Sequence, residues 1–236
     1  MVIFLGIDKL NIKDKITNTK KLILQAEEEY NRPLNVVKLM AVSKGRTSSE
    51  IKEAFAAGIT DFGESYLQEA KIKIEELNTL PICWHFIGKI QSNKINDIAN
   101  KFSWVQSVSR IDIAKKLNDL RELSKGNLNV CIQVNIDNEE SKSGVPPAEV
   151  KNLAKYILSL PNLNLRGLMT IPKQKTNEEE QFNSFFQLTN LMQNLNQQLS
   201  ISMDTLSMGM SNDFKAAIRA NSSMVRIGTA LFGERR

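Results

Sequence analysis

A closed (β/α)8 barrel, the TIM-barrel architecture, with one extra helix at its amino end is the fold that this 236-residue sequence predicts. Three observations carry it. Short apolar runs rich in β-branched residues alternate throughout with amphipathic stretches, which calls for a parallel sheet with right-handed crossovers. Eight such runs can be counted, enough to close a barrel, whereas an open doubly wound sheet needs fewer. The first run is followed by no glycine-rich dinucleotide loop. No linker or shift of composition divides the chain, so residues 1–236 read as one domain.

The elements follow in order. Apolar residues recur at Leu10, Ile12, Ile16, Leu22, Ile23 and Ala26 among lysines and glutamates, giving an amphipathic helix over 8–30 that Asn31 and Pro33 end. Residues 36–47, VVKLMAVSKGRT, form the first strand and its exit. Thr47 and Glu50 make a capping box for a helix over 48–57, closed by Gly58. Strands at 59–63, 82–88, 103–108 and 129–136 are followed by helices at 64–77, 91–100, 110–124 and 147–160, the last opened by Pro146 and Pro147. A sixth strand at 165–171 leads into the longest helix, 177–200, whose apolar stripe comprises Phe182, Phe185, Phe186, Leu188, Leu191, Met192 and Leu195. A short strand at 206–209, a helix at 213–220 and a final strand at 224–232 complete the count.

Composition narrows the function. The net charge is +5, but lysines are mixed with glutamates and no basic stripe or nucleic-acid motif accompanies them. The densest basic stretch, Lys9 to Lys21, reads as the solvated face of the first helix. Such mild basicity suits a small anionic ligand. Cys83 and Cys131 sit in separate apolar runs without metal-ligand spacing, as buried reduced thiols of a cytoplasmic protein do. Residues 1–7 are too short and lack the basic start of a secretion signal, and no run reaches membrane-spanning length.

Lys44 stands at the carboxyl end of the first strand, where α/β proteins carry their chemistry. Alternation puts Met40 and Val42 on its face. An amine rising from an apolar floor is desolvated, which favours the neutral nucleophile that attacks carbonyls. A lysine merely capping a strand in solvent is the plain alternative. Near the carboxyl end, Ser207, Gly209 and Ser211 follow the seventh strand, and Gly228 and Thr229 lie on the eighth. Loops after these two strands are the recurrent phosphate site of barrels, and small residues let backbone N–H groups approach an anion. Ordinary turn chemistry would use the same residues. Arg226, inside an apolar strand, needs a partner: a structural carboxylate, or a ring nitrogen of a bound cofactor held unprotonated by the adjacent charge. His85, the single histidine, fits no metal or triad pattern and reads as a packed barrel or mouth residue. An amine, a phosphate cup and a buried arginine together suggest pyridoxal phosphate (PLP), whereas a Schiff-base aldolase would need only the first two.

Read in order, several segments resemble the pyridoxal phosphate homeostasis protein family, small barrels related to the amino-terminal domain of alanine racemase. They are AVSK at 41–44, FGESYLQEA at 62–70, WHFIGKIQSNK at 84–94, SKSG at 141–144, LRGLMTI, LSMGMSNDFKAAI and MVRIGTALFG. The resemblance implies a fold-type III PLP-binding barrel in which Lys44 forms the Schiff base. It implies that Ser207, Gly209, Ser211, Gly228 and Thr229 hold the phosphate and that Arg226 lies against the pyridine nitrogen. The sequence departs from the family pattern at Ser65, where an asparagine is usual, and at Lys89, where a proline is usual. Lys142 matches a family lysine on the fifth loop, either a ligand contact or a solvent residue. The function implied is a non-catalytic carrier in intracellular PLP (vitamin B6) homeostasis, cytoplasmic and monomeric, in transient contact with PLP-dependent apo-enzymes. A PLP-dependent amino-acid racemase is the alternative. It needs a second acid/base, which larger racemases draw from a further domain, and the chain ends at Arg236, directly after the last strand. Tyr30 and Tyr156 read as helical, and Tyr66 follows the second strand without an acid/base partner.

Overall fold

The computed structural model describes residues 11–139 and 142–234. Residues 8–10 of the predicted first helix, residues 1–7, Lys9, Ser141 and Arg236 lie outside them. Helix α1 spans Ile12–Glu29, and the chain then alternates β1 (Lys38–Val42), α2 (Ser48–Ala56), β2 (Asp61–Glu64), α3 (Leu67–Glu76), β3 (Cys83–Phe86) and α4 (Ile95–Lys101). It continues as β4 (Trp104–Val108), α5 (Ile111–Leu120), β5 (Leu128–Gln133), α6 (Pro147–Leu158), β6 (Leu163–Met169) and α7 (Glu178–Leu199). Strand β7 (Thr205–Ser207), α8 (Phe214–Arg219), β8 (Met224–Ile227) and the short α9 (Thr229–Phe232) complete the order. Each strand pairs in parallel with the next, and β8 returns to β1, so the sheet is the closed barrel that the alternation predicts.

Local chemistry fixes the ends of these elements. Asn11 caps α1 by accepting the Asp14 N–H at 2.9 Å. Thr47 and Glu50 make the reciprocal capping box of α2. Glu27, fully buried on α1, accepts the N–H groups of Asn35, Val36 and Val37 at 2.8, 3.0 and 2.8 Å, so the added helix sets the entry of β1. Ala41 and Phe62 pack outward under the helices, while Met40 faces the interior, its sulfur 2.7 Å from where a Cβ on Gly63 would stand. Trp104, Cys131 and Met169 form a small apolar cluster of their own inside the barrel. Gly209 has a φ of +97°, and a Cβ there would come within 2.6 Å of the Ala217 Cβ, so glycine is required both by the backbone and by the approach of α8. Both cysteines are free thiols, Cys131 buried and Cys83 half-buried. Among the described residues no helix is long and apolar enough to cross a membrane.

Two expectations need correction. The final strand stops at Ile227, because the chain turns at Gly228 (φ −118°, ψ −74°) and Leu231 and Phe232 donate back to its carbonyl. The apolar run 224–232 is therefore half strand and half helical turn, with Leu231 and Phe232 buried in the turn, and hydropathy alone does not separate the two. In α7, Phe186 is 41% exposed and stacks on Phe182 at a centroid distance of 5.3 Å. Ser184 and Thr189 take places in the buried stripe instead, because each has a partner there: Asp137 for Ser184 and the Ala220 carbonyl for Thr189. Phe185→Ala should therefore destabilise the protein by about 3–5 kcal/mol, the usual cost of emptying a buried phenylalanine site. Phe186→Ala should cost less than about 1 kcal/mol. Urea unfolding of the two variants measures the difference, and equal losses would contradict the assigned faces of α7.

Candidate ligand-binding site

At the carboxyl ends of the strands lies a cavity of about 410 Å³. Val42 and Lys44 line it from the first strand and its exit, and Arg226, Gly228 and Thr229 line it from β8 and the turn after it. Ser211, Asn212 and Asp213 come from the loop before α8, and Lys142, Ile171 and Lys175 from the loops after β5 and β6. Among the described residues its charged walls are Lys44, Arg46, Lys142, Lys175 and Arg226 against the single carboxylate Asp213, an arrangement that attracts anions.

Lys44 is half-buried two residues beyond β1, and Val42 shares its face. The loop that carries it is braced from outside the barrel. Ser43, adjacent to Lys44, donates its hydroxyl to Glu64 Oε1 at 2.6 Å, and its carbonyl accepts the Lys73 ammonium at 2.7 Å. Lys73 also reaches Glu64 Oε1 at 2.8 Å and Glu69, which accepts the Gly45 N–H. Glu64 and Lys73 are buried, and burial pushes the Glu64 carboxyl up while the Lys73 ammonium pulls it back. Arg46 donates to the Phe232 and Gly233 carbonyls and lies over the Phe232 ring, tying the same loop to α9. Sequence reasoning missed this brace. Its signals were a carboxylate closing the DFGE strand and the Glu69–Lys73 pair at i,i+4 spacing.

Arg226 is 4% exposed, and β1 pairs with β8 so that Met40 lies opposite it. One terminal nitrogen donates to the Ser207 carbonyl at 2.6 Å and the Ser207 hydroxyl at 2.9 Å; the other donates to the Thr170 carbonyl at 2.8 Å. Among the described residues no carboxylate ion-pairs with it; backbone oxygens and one hydroxyl satisfy it instead. Burial pushes its pKa down to about 10, against the attraction of nearby Asp213, so it is charged at neutral pH. Burial raises the Asp213 carboxyl, which accepts the Met210 N–H.

The remaining expected site residues divide between wall and interior. Ser211, Gly228 and Thr229 line the cavity; Ser207 and Gly209 do not. Ser207 is fully buried, its hydroxyl given to Gln106 Oε1 at 2.6 Å, and the Gly209 carbonyl accepts the Arg226 backbone N–H. Lys142 is exposed at the rim, and Ser65 and Lys89 are not among the lining residues. His85 is buried inside the barrel, stacked on Trp104 at 5.3 Å, with Nε2 3.0 Å from Asp61 Oδ1 and Nδ1 3.0 Å from Gln106 Nε2. Burial lowers the His85 pKa against the pull of Asp61.

Fold and cavity define an α/β barrel protein with a cationic pocket built around a lysine at the end of β1 and an arginine in β8. The chain matches the family described as "Alanine racemase, N-terminal domain" over residues 15–236. It is 48% identical over 229 residues to the pyridoxal phosphate homeostasis protein of Haemophilus influenzae, covering 96% of this chain and 97% of that one. Its identity to the protein of the same name from Pseudomonas aeruginosa is 47% over 224 residues, 95% of this chain and 96% of the other. The structure of PipY from Synechococcus elongatus with PLP bound superposes with a TM-score of 0.82 at 31% identity, covering 94% of this chain and all (100%) of that one. Alanine racemase from Corynebacterium glutamicum shares the fold, with a TM-score of 0.71 at 17% identity over 96% of this chain and 64% of that one. The chain belongs to the pyridoxal phosphate homeostasis protein family, within the alanine racemase amino-terminal-domain family.

The brace gives a direct test. Lys73→Met leaves Glu64 buried without its counter-charge and should cost about 3–5 kcal/mol. Adding Glu64→Leu should restore a large part of that loss, as replacing both members of a buried pair does. A double variant whose loss equals the sum of the losses of Lys73→Met and Glu64→Leu alone would show that the pair is not coupled.

Proposed function

We propose that the protein holds pyridoxal 5′-phosphate on Lys44 and serves as a carrier that maintains the intracellular pool of this cofactor. The observation that supports it most is that Lys44, Arg226, Ser211 and Thr229 all line one cavity of about 410 Å³, an amine, a guanidinium and two hydroxyls facing one space. This donor set fits an aldehyde, a ring nitrogen and a phosphate. When bound, the cofactor supplies an electrophilic aldehyde and a ring able to accept electron density. Lys44 is the residue that would bond the aldehyde; Ser211, Gly228 and Thr229 would hold the phosphate with hydroxyl and backbone donors. Ser207 and Gly209, expected in the phosphate cup, stand behind the wall and contact Arg226 instead. Arg226 would face the ring nitrogen and, being cationic, keep it unprotonated, which weakens the ring as an electron sink.

That electrostatic setting favours a carrier over a racemase. Two-base racemisation needs an acid/base group opposite Lys44. None of the three tyrosines lines the cavity: Tyr30 donates to Glu178, Tyr66 is 59% exposed at the start of α3, and Tyr156 packs on α6. The names of the relatives agree with a homeostatic role. We place this carrier in the cytoplasm, as one monomeric barrel domain that meets PLP-dependent apo-enzymes transiently.

Lys44→Ala should fold normally yet retain no borohydride-fixed cofactor by intact mass, and covalent retention by the variant would refute the assignment of the amine. Arg226→Glu should move the visible band of the loaded protein toward that of a protonated ring; an unchanged band would remove the arginine from its role. Incubation of the loaded protein with single amino-acid enantiomers should give no racemisation above the free cofactor, as read by chiral chromatography.

A further inference from the structure

Four buried side chains link the floor of the barrel to Arg226 without a gap. Asp61 Oδ1 lies 3.0 Å from His85 Nε2, His85 Nδ1 lies 3.0 Å from Gln106 Nε2, the Ser207 hydroxyl meets Gln106 Oε1 at 2.6 Å, and Arg226 reaches that hydroxyl at 2.9 Å. The directions follow from donor and acceptor chemistry. A guanidinium only donates, so the Ser207 oxygen accepts from Arg226, which leaves its own proton for Gln106 Oε1 at 2.6 Å. The amide nitrogen of Gln106 then faces two acceptors, His85 Nδ1 and the Met224 sulfur at 3.2 Å. His85 Nδ1 is therefore unprotonated, and its proton sits on Nε2, donated to Asp61. The Met224 contact supports this amide orientation independently, because the reverse would set two acceptors, carbonyl oxygen and thioether, against each other.

We infer that Gln106 is a positioning residue for Arg226: it fixes the Ser207 hydroxyl as an acceptor for the guanidinium and, at its other end, fixes His85 as the neutral Nε2–H tautomer. The inference stands on the protein's own contacts, and only its consequence for the ring of a bound cofactor rests on the reading above. The groups facing His85 are Asp61 on β2, with Lys38 of β1 3.9 Å from that carboxylate, Cys83 Sγ at 3.4 Å on its own strand, and Trp104 and Gln106 on β4. Protonation of Nδ1 would require Gln106 to reverse. Its oxygen would then meet Met224, and the Ser207 hydroxyl would face two donors while losing its acceptor. Acid at His85 is thereby opposed by the same contacts that hold Arg226.

The chain has one histidine, so a single imidazole appears in the long-range 1H–15N spectrum of the tag-free, ligand-free protein. The expected pattern is the neutral Nε2–H tautomer, unchanged from pH 8 down to about pH 6, below the ordinary histidine pKa of about 6.5. An Nδ1–H tautomer, or an imidazolium at pH 6 with native structure intact, would overturn the inference. This arm needs no variant and does not depend on PLP binding, so it remains decisive if the carrier reading fails. In Ser207→Ala, which removes the hydroxyl that accepts from Arg226, the guanidinium protons should exchange with solvent about tenfold faster, as loss of a charge-assisted hydrogen bond predicts, and Gln106→Leu, which frees that hydroxyl to turn away, should speed exchange in the same direction. Unchanged exchange in a folded variant would reduce Gln106 to a packing residue.

Discussion

A guanidinium buried in a barrel of apolar strands is the constraint on which the pocket depends. Arg226 cannot shed its charge at neutral pH, and a carboxylate ion-paired with it would weaken the field that the cavity presents; Asp213 lines the same cavity without pairing with it. The chain satisfies it instead with the Thr170 and Ser207 carbonyls at the exits of β6 and β7 and with the Ser207 hydroxyl. Three neighbouring strands are thus tied at the level where ligands enter, and the arginine keeps its positive potential. The interior behind it is polar for the same reason. Ser207 needs an acceptor, Gln106 supplies it, and Gln106 in turn needs the unprotonated face of His85.

On the neighbouring strand the chain solves a different problem. Lys44 sits on a loop, and loops place side chains less firmly than strands. The buried Lys73 gathers the Ser43 carbonyl, Glu64 and Glu69, and Glu69 reaches back to Gly45, so the residues on both sides of Lys44 are held. Arg46 fastens the next turn to the end of α9, the helical turn that follows the Gly228–Thr229 wall. The amine and the neighbouring wall after β8 are therefore referenced to each other through protein contacts. That is the condition for a pocket in which several contacts to one ligand must coincide.

Much of the fold was legible because it is periodic. Strand and helix alternation, the Thr47–Glu50 box and the glycine stops all follow from local rules, and the structure repeats them within a few residues. That Lys44 and Arg226 would share one pocket wall was legible as well, each being a charge at the end of or within an apolar run, and both line the cavity. The brace and the polar interior were not. Glu64 ends its strand and reads as a solvent residue until α3 is known to cover it with Lys73. Gln106 is an uncharged polar residue in a strand whose neighbours are all buried, and only closure of the barrel brings β3, β4, β7 and β8 around one axis. The α9 turn and the outward Phe186 were misplaced because hydropathy records that a residue is apolar, not which geometry buries it.

The central claim is that Lys44 is the residue on which this pocket carries PLP. The visible absorption spectrum of the purified protein with added pyridoxal phosphate, before and after borohydride and followed by peptide mapping, tests it most directly. The account predicts a yellow band that reduction abolishes, with the added mass on the peptide containing Lys44. A protein that stays colourless at saturating cofactor, or an adduct mapping to Lys142 or Lys175 alone, would contradict it.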